Sequence, residues 1–343
     1  TPEPYRFKNY FFFSNNLISK NLNIKKNYFN TKKKYKSSIE IDKIKKEIIN
    51  KKNSISADAD KTRNTLFKIN KKNIFQKILG NLIYITLKHS YFYLLHSLGF
   101  RNNHLRFLPK YNLFQNIFLE IKTKKTFNYL LNLKSPNLDR KYIYYPLHVI
   151  PETSTLLKGN DYMNQEYLIE SISKNIPSNC KLYIKEHPAM LVSHPRKISF
   201  FEKIKKLPNV ELLNPKEDSR KIISKAQAVI VVDGSSGFEA MISRIPLVTM
   251  KQYNYDFLDL SVTNYNIEGL FLDIQSAIKK NFTVTKKEFE LKIKILLKSI
   301  IDNSYKLRDP DTFYYFTRGI TTSKEIKITS EDLAFALIKE LKL

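Results

Sequence analysis

Five short apolar runs alternate with helix-like stretches between Lys141 and Met250, and this alternation restricts the fold more than any other feature of the chain. The runs are Tyr142 to Leu147, Lys181 to Lys185, Asn209 to Asn214, Ala228 to Val232 and Pro246 to Met250. Between them, Asn164 to Lys174, Ile198 to Lys206, Asp218 to Ala226 and Gly237 to Arg244 read as helices. Strands joined by helices pair in parallel through right-handed crossovers, and the resulting sheet is covered on both faces. The chain is therefore read as α/β, with a Rossmann-like parallel sheet in the order 3-2-1-4-5. Ala228 to Val232 is the most apolar run and is placed at the centre.

That order sets strands one and four side by side, with strand two next to strand one. Ligands of open α/β sheets bind outside the carboxyl ends of the strands, where the strand order reverses. Three segments leaving such ends carry suitable chemistry: Tyr145-Pro-Leu-His148-Val-Ile-Pro-Glu152-Thr153, Lys185-Glu186-His187-Pro188, and Asp233-Gly234-Ser235-Ser236-Gly237-Phe-Glu239. Two of only 7 glycines, Gly234 and Gly237, fall between a buried strand and a helix. Glycine there permits a tight turn and a close ligand approach. The helix start offers unpaired amides to an anion, and Ser235 and Ser236 add hydroxyls. The same residues also suit a plain turn with a serine cap. The lysine that would complete a P-loop is absent.

Glu239, on the first turn of that helix, either complements the helix dipole or accepts hydrogen bonds from ribose hydroxyls. His187 can donate to a phosphate or act as a general acid, and Pro188 ends its strand. Lys185 and Glu186 are further pocket candidates, although Lys185 can also snorkel from the strand. Glu152 is a candidate general base or nucleophile, or else a capping residue of a turn, and His148 and Thr153 adjoin it. Tyr253, with Tyr255 and Asp256, follows strand five onto the same rim, where stacking on a base or sugar competes with core packing.

The formal net charge is +27, and the excess is lysine written among abundant Asn, Ile, Tyr and Phe. That mixture fits a coding bias in which Lys is the default solvated residue. It also fits a negatively charged partner: nucleic acid, an anionic membrane surface or an acidic glycan. Elements for base readout are not identifiable, so nucleic acid is the weakest of these. Hydrophobic residues at 42% and aromatics at 13% exclude wholesale disorder. The single cysteine, Cys180, excludes an intrachain disulfide and any Cys-built metal site, and fits a reducing, cytoplasmic setting. His89, His96, His104 and His194 lack partners at ligand spacing, so neither a metal nor another cofactor is expected. No run of uncharged apolar residues is long enough to predict a membrane-spanning helix. The chain opens Thr1-Pro-Glu-Pro without an initiator methionine or a signal-peptide pattern, so a fragment is expected.

Four regions result. Residues 1–71 show no recognisable fold, and Lys25 to Lys36 is expected to be solvated. Residues 72–140 read as helical, with Ile74, Ile78, Leu79, Leu82 and Ile85 at helical spacing. That helix, Asn73 to Phe100, either packs on its neighbours or lies on a membrane surface. A second runs from Phe114 to Leu133. Residues 141–285 are the Rossmann-like unit, and residues 286–343 are C-terminal helices. Of these, Lys286 to Ile301 is amphipathic, and Thr329 to Leu343 is capped by Thr329 with Asp332. Asp309-Pro310-Asp311 reads as a turn.

Taken together, Tyr144-Tyr-Pro-Leu-His148-Val-Ile-Pro-Glu152-Thr-Ser-Thr, Leu182-Tyr-Ile-Lys-Glu-His-Pro188, Leu207-Pro-Asn-Val-Glu-Leu-Leu213 and Gly234-Ser-Ser-Gly-Phe-Glu-Ala240 resemble the capsule polysaccharide biosynthesis family, which includes the bacterial Kdo transferases of capsule assembly. The resemblance implies a GT-B glycosyltransferase: two Rossmann-like domains, with the donor nucleotide held mainly by the C-terminal one, here Lys141 to Met250. It implies that His187 and Pro188 lie near the nucleotide phosphate, that Gly234, Ser235, Ser236 and Gly237 face phosphate too, and that Glu239 meets the ribose. It also implies that Glu152 stands where an acidic residue acts on the anomeric carbon. Those enzymes more often have Asp there, which leaves nucleophile and base both open. The implied partners are a nucleotide-activated sugar, with CMP-Kdo as the specific candidate, and a glycan or glycolipid acceptor. No metal is implied. The implied location is cytoplasmic, peripheral at the inner face of the plasma membrane.

Residues 1–71 do not supply the α/β pattern of a full acceptor domain. A truncated N-terminal domain, or one replaced by helices, is expected. Rival readings on the same fold are a glycerophosphate transferase and a nucleotide-sugar epimerase. A non-catalytic rival is a basic adaptor that binds anionic glycan or membrane through residues 1–100.

Overall fold

The structure, a computed structural model, describes residues 2–4, 10–13, 22–36, 39–49, 113–150, 162–187, 190–191, 195–250, 255–306, 308 and 323–341. The expected helix from Asn73 to Phe100, the Asp309 to Asp311 turn, and the site candidates Glu152, Thr153, Pro188 and Tyr253 lie outside the described residues. The chain begins with β1 (Pro2–Pro4), β2 (Tyr10–Phe13), α1 (Leu22–Lys34), α2 (Ile39–Ile49) and α3 (Leu113–Leu131). An alternating series follows: β3 (Tyr142–Pro146), α4 (Gln165–Asn175), β4 (Lys181–Lys185), α5 (Ile198–Lys205), β5 (Val210–Leu213), α6 (Ser219–Lys225), β6 (Ala228–Val231), α7 (Ser235–Ile242) and β7 (Leu247–Met250). It closes with β8 (Val262–Asn264), α8 (Leu270–Thr283), α9 (Lys286–Asp302), β9 (Tyr305–Lys306) and α10 (Ser323–Leu341).

The main sheet has the order β5-β4-β3-β6-β7-β8, and every pairing in it is parallel. The expected order 3-2-1-4-5 is thus present, extended by a sixth strand that the sequence reading missed. The reason is local: β8 has three residues, two of them only half-buried, so it leaves no apolar run to detect. All four residues of β6 are buried, as expected of a central strand.

Alternation along the strands splits the core in two. Tyr142, Tyr144, Tyr183, Val229, Val231 and Leu247 point to one face, which α1, α2, α6, α7 and α9 cover. Ile143, Tyr145, Leu182, Ile184, Ile230 and Val248 point to the other, which α3, α4, α5 and α8 cover. Buried tyrosines in a central strand need outlets for their hydroxyls. Tyr142 donates to the carbonyl of Ile222 at 2.6 Å, and Tyr183 donates to that of Asn137 at 2.6 Å. The two rings stack on each other with centroids 4.3 Å apart.

Four local expectations need refinement. Lys25 to Lys36 is largely solvated, as expected, but most of it lies in α1, whose Ile24 and Tyr28 are buried against the first face while Lys25, Lys26, Lys32, Lys33 and Lys34 stay exposed. The lysines hid a narrow apolar stripe. The glycine-rich helix begins at Ser235 rather than Gly237, because Gly234 alone supplies the unusual backbone that starts it. The terminal helix runs from Ser323, so Thr329 is inside it rather than at its cap. Asp332 instead accepts from Arg308 Nε at 2.6 Å and from the Arg308 amide at 2.8 Å. The N-terminal region is not featureless either, since β1, β2 and β9 form a small antiparallel sheet that joins residues near the start to those after α9.

Candidate functional site

Adjacent strands lie about 5 Å apart, so the ends of β4, β3 and β6 sit within about 10 Å of one another. The side chains leaving those ends form one connected network. His148, just past β3, is 7% exposed, and its Nε2 lies 2.8 Å from the carbonyl oxygen of Asp233, just past β6. The Asp233 amide is also near this nitrogen, at 3.3 Å. The shorter contact decides the tautomer, because a carbonyl that close requires a proton on Nε2. Nδ1 is then the unprotonated nitrogen, buried and without a hydrogen-bond partner among the described residues. Burial holds the His148 pKa below its ordinary value, so the ring is neutral.

Below His148 the side-chain amide of Gln165, at the first position of α4, stands in for a neighbouring strand. Its Oε1 accepts from the His148 amide at 3.1 Å, and its Nε2 donates to the His148 carbonyl at 3.4 Å. Past β4, Glu186 is buried and accepts from the His187 amide at 2.6 Å. Both its oxygens accept from Arg196 Nη1, each at 2.5 Å. Burial pushes the Glu186 carboxyl upward against the opposing pull of Arg196. The His187 pKa falls to about 4, chiefly through burial, with His148, Lys185 and Arg196 adding to the effect. Lys185 donates to the Glu217 carbonyl at 2.8 Å, tying β4 to the loop before α6.

Past β6 the chain turns at Gly234, whose φ of 108° and ψ of 179° belong to a region open essentially only to glycine. Its amide donates to Asp233 Oδ1 at 2.7 Å. This turn starts α7 so that Ser235, Ser236 and Gly237 form its first turn, where backbone amides have no partner within the helix. Such a terminus favours an anion. Glu239 follows one turn on, about 6 Å along the axis from Ser235. It lines a cavity of about 230 Å³ between α6 and α7, together with Asp218, Arg220, Ile242 and, from α2, Ile48 and Ile49. The Nη1 of Arg220 is buried and has no hydrogen-bond partner among the described residues.

The structure therefore brings His148, Glu186, His187 and the Gly234–Gly237 turn to one end of the sheet, whereas Glu239 lines a cavity between α6 and α7 that none of these residues lines. Tyr255 belongs to the core, 5% exposed and packed on Phe238 with ring centroids 5.0 Å apart. Sequence reasoning missed Gln165, Arg196 and Arg220. None belongs to a spaced motif, and Gln165 and Arg196 acquire their partners only when separate segments fold together. Among the described residues, no group of three or more His, Cys, Asp or Glu side chains is placed to hold a metal ion. No helix among them is long and apolar enough to cross a membrane.

The ends of the central parallel strands thus carry a glycine-serine helix start and two imidazoles. The sequence matches the capsule polysaccharide biosynthesis protein family over residues 103–282, more than half of the chain. The protein belongs to that family. No curated protein sequence matches it. Among solved structures, it is similar to the β-Kdo 2,7-transferase KpsC of Thermosulfurimonas dismutans at 21% identity and a TM-score of 0.32, covering 50% of this chain and 54% of that one. The β-Kdo 2,4-transferase KpsC of the same organism matches at 14% identity and a TM-score of 0.32, covering 47% and 55%. Anabaena HepE in complex with UDP-glucose matches at 12% identity and a TM-score of 0.31, covering 63% and 52%. The chain spans about half the length of each of these proteins.

Proposed function

We propose that the protein is a glycosyltransferase of capsule or surface polysaccharide synthesis, and that the described sheet binds its nucleotide-activated sugar donor. The observation that carries this reading is the shared rim, where the hydrogen bond between His148 and Asp233 joins the β3 end to the start of the anion-binding turn. In this reading the amides and hydroxyls of Ser235 and Ser236 hold the donor phosphate, and His187 donates a hydrogen bond as negative charge builds on the leaving group. A neutral imidazole suits that role, since it can give a hydrogen bond without bringing a buried charge. Glu239, about 6 Å further along α7, accepts from the ribose hydroxyls. The nucleoside extends into the cavity beneath Ile48 and Ile49. Glu152 is assigned to the reacting carbon or to activation of the acceptor hydroxyl.

The donor is a nucleotide sugar, with CMP-Kdo first among candidates, and the acceptor is a glycan or glycolipid. A panel of CMP, CDP, UDP and GDP in a thermal-shift experiment tests the donor site, because a ligand that binds only the folded form raises the melting temperature. One nucleotide is expected to stabilise the wild-type chain by several degrees and to lose that effect in His187→Ala. No shift with any of the four would overturn the reading. In a transfer assay, Glu152→Gln and His187→Ala are each expected to abolish product. Product mass then separates sugar transfer from glycerophosphate transfer and from epimerisation.

A second reading concerns an anionic partner outside the rim. The solvent side of α1 presents Lys25, Lys26, Lys32, Lys33 and Lys34 beside Phe29, which is 42% exposed. This face suits a peripheral contact with anionic lipid headgroups. Co-sedimentation with phosphatidylglycerol vesicles, lost when Lys32, Lys33 and Lys34 become Glu, is the expected result. Binding unchanged by that substitution would remove α1 from the contact.

A further inference from the structure

Arg196 belongs to no motif, yet it is the most connected side chain at the rim. Its side chain is 9% exposed and that of Glu186 is 1% exposed. One arm of the guanidinium, Nη1, reaches both Glu186 oxygens at 2.5 Å. The other arm, Nη2, donates to the His148 carbonyl at 2.6 Å. Glu186 passes the connection on by accepting from the His187 amide at 2.6 Å. The Arg196–Glu186 pair therefore spans the ends of two strands, with Arg196 bonded to the His148 backbone and Glu186 to that of His187.

Arg196 is itself held from two directions. Its guanidinium carbon lies 5.4 Å from the centre of the Phe200 ring on α5. Its carbonyl accepts from Thr126 Oγ1 of α3 at 3.1 Å. A side chain locked this way loses little further freedom when it orients its partners. Stability does not explain why the pair is there. Replacing a buried ion pair with apolar residues of similar size is often neutral or stabilising, and the face around it is apolar. A planar fork does supply fixed direction, which neither a methionine nor a lysine reproduces.

We propose that Arg196 and Glu186 form a buried positioning clamp that fixes His148 and His187 relative to each other, without either clamp residue touching ligand. Its link to donor binding rests on the function proposed above, but the clamp itself does not depend on it. Arg196→Lys keeps the charge and loses the fork. The double variant Glu186→Leu with Arg196→Met removes the clamp without stranding a buried charge, so it covers the case in which single variants fail to fold. The first measurement needs no ligand: the imidazole ring resonances of His148 and His187, followed by NMR across a pH titration. Both variants are expected to shift these resonances while keeping the main-sheet signals. The second measurement is the affinity for whichever of CMP, CDP, UDP and GDP stabilises the wild-type chain, with a loss of tenfold or more expected in both variants.

Guanidinium ion added at low millimolar concentration to Arg196→Ala is expected to recover part of that affinity, which a general loss of stability would not. Unchanged ring resonances in a folded double variant overturn the clamp. Shifted resonances with unchanged nucleotide affinity overturn its role in the site. Absence of nucleotide binding by the wild-type chain overturns the donor-site reading instead, and leaves the clamp to be decided by the resonances.

Discussion

The two faces of the main sheet are covered by different kinds of chain. The face carrying Ile143, Tyr145 and Ile230 is closed mainly by α4, α5 and α8, which lie within a few tens of residues of the strands they cover, with α3 just upstream. The face carrying Tyr142, Tyr144 and Val229 is closed partly by α6 and α7, and partly by α1, α2 and α9. Helices α1 and α2 come from the first fifty residues, and α2 is held by distant partners: Lys45 pairs with Glu290, and Lys294 pairs with Asp42 at 2.6 Å. The chemistry divides in the same way. The clamp of Arg196 and Glu186, with Gln165, sits with the locally built face. The cavity holding Glu239 lies on the other, where α2 contributes Ile48 and Ile49. The proposed site thus draws its rigid polar frame from nearby sequence and part of its pocket wall from remote sequence.

The largest test of this contrast compares Phe201→Ala, in the locally built face, with Ile41→Ala in α2. Both side chains are essentially buried, at 0% and 1% exposed. Truncating the phenylalanine is expected to cost about 3–5 kcal/mol, and truncating the isoleucine about 2–5 kcal/mol, measured by urea unfolding. An unchanged denaturation midpoint in Ile41→Ala would show that the N-terminal helices add nothing to the second face.

Next in size is Gly234→Ala, at the turn between the faces. A Cβ there meets nothing within 4 Å, so the cost is backbone strain alone, about 1–3 kcal/mol. The same substitution is expected to weaken nucleotide binding by disturbing the first turn of α7. Retention of wild-type stability would mean that the turn tolerates a different backbone.

The narrowest effect is a pH dependence specific to the rim. His187 has a folded pKa of about 4 against an ordinary value of 6.5. Between those values the unfolded chain binds a proton that the folded chain refuses, so stability falls as pH drops from about 6.5 towards 4. His187→Asn is expected to melt with a flatter profile across that window than the wild-type chain. Parallel profiles would mean that His187 titrates normally in the fold.

Much of this architecture is legible in the sequence because its signals are short-range. β6 and β3 are continuous apolar runs, and burial on both sides of a parallel sheet demands such runs. The strand order follows from the rules of crossover connections, and the glycine-serine turn announced a helix start at the end of β6. β8 was hidden because three residues, two of them half-buried, make no pattern. α1 was hidden because lysines crowd its solvent side, leaving Ile24 and Tyr28 as faint markers of the buried stripe.

The sequence by itself determined the parallel sheet, its central strands and the chemical character of the rim, because periodicity and turn chemistry act over a few residues. Only the tertiary structure decided that Arg196 would join Glu186 to His148, that the Asp233 carbonyl would set the tautomer of His148, and that α2 would wall the Glu239 cavity. Those contacts link segments separated by ten to nearly two hundred residues. Their geometry depends on how packed layers meet, which no local pattern encodes.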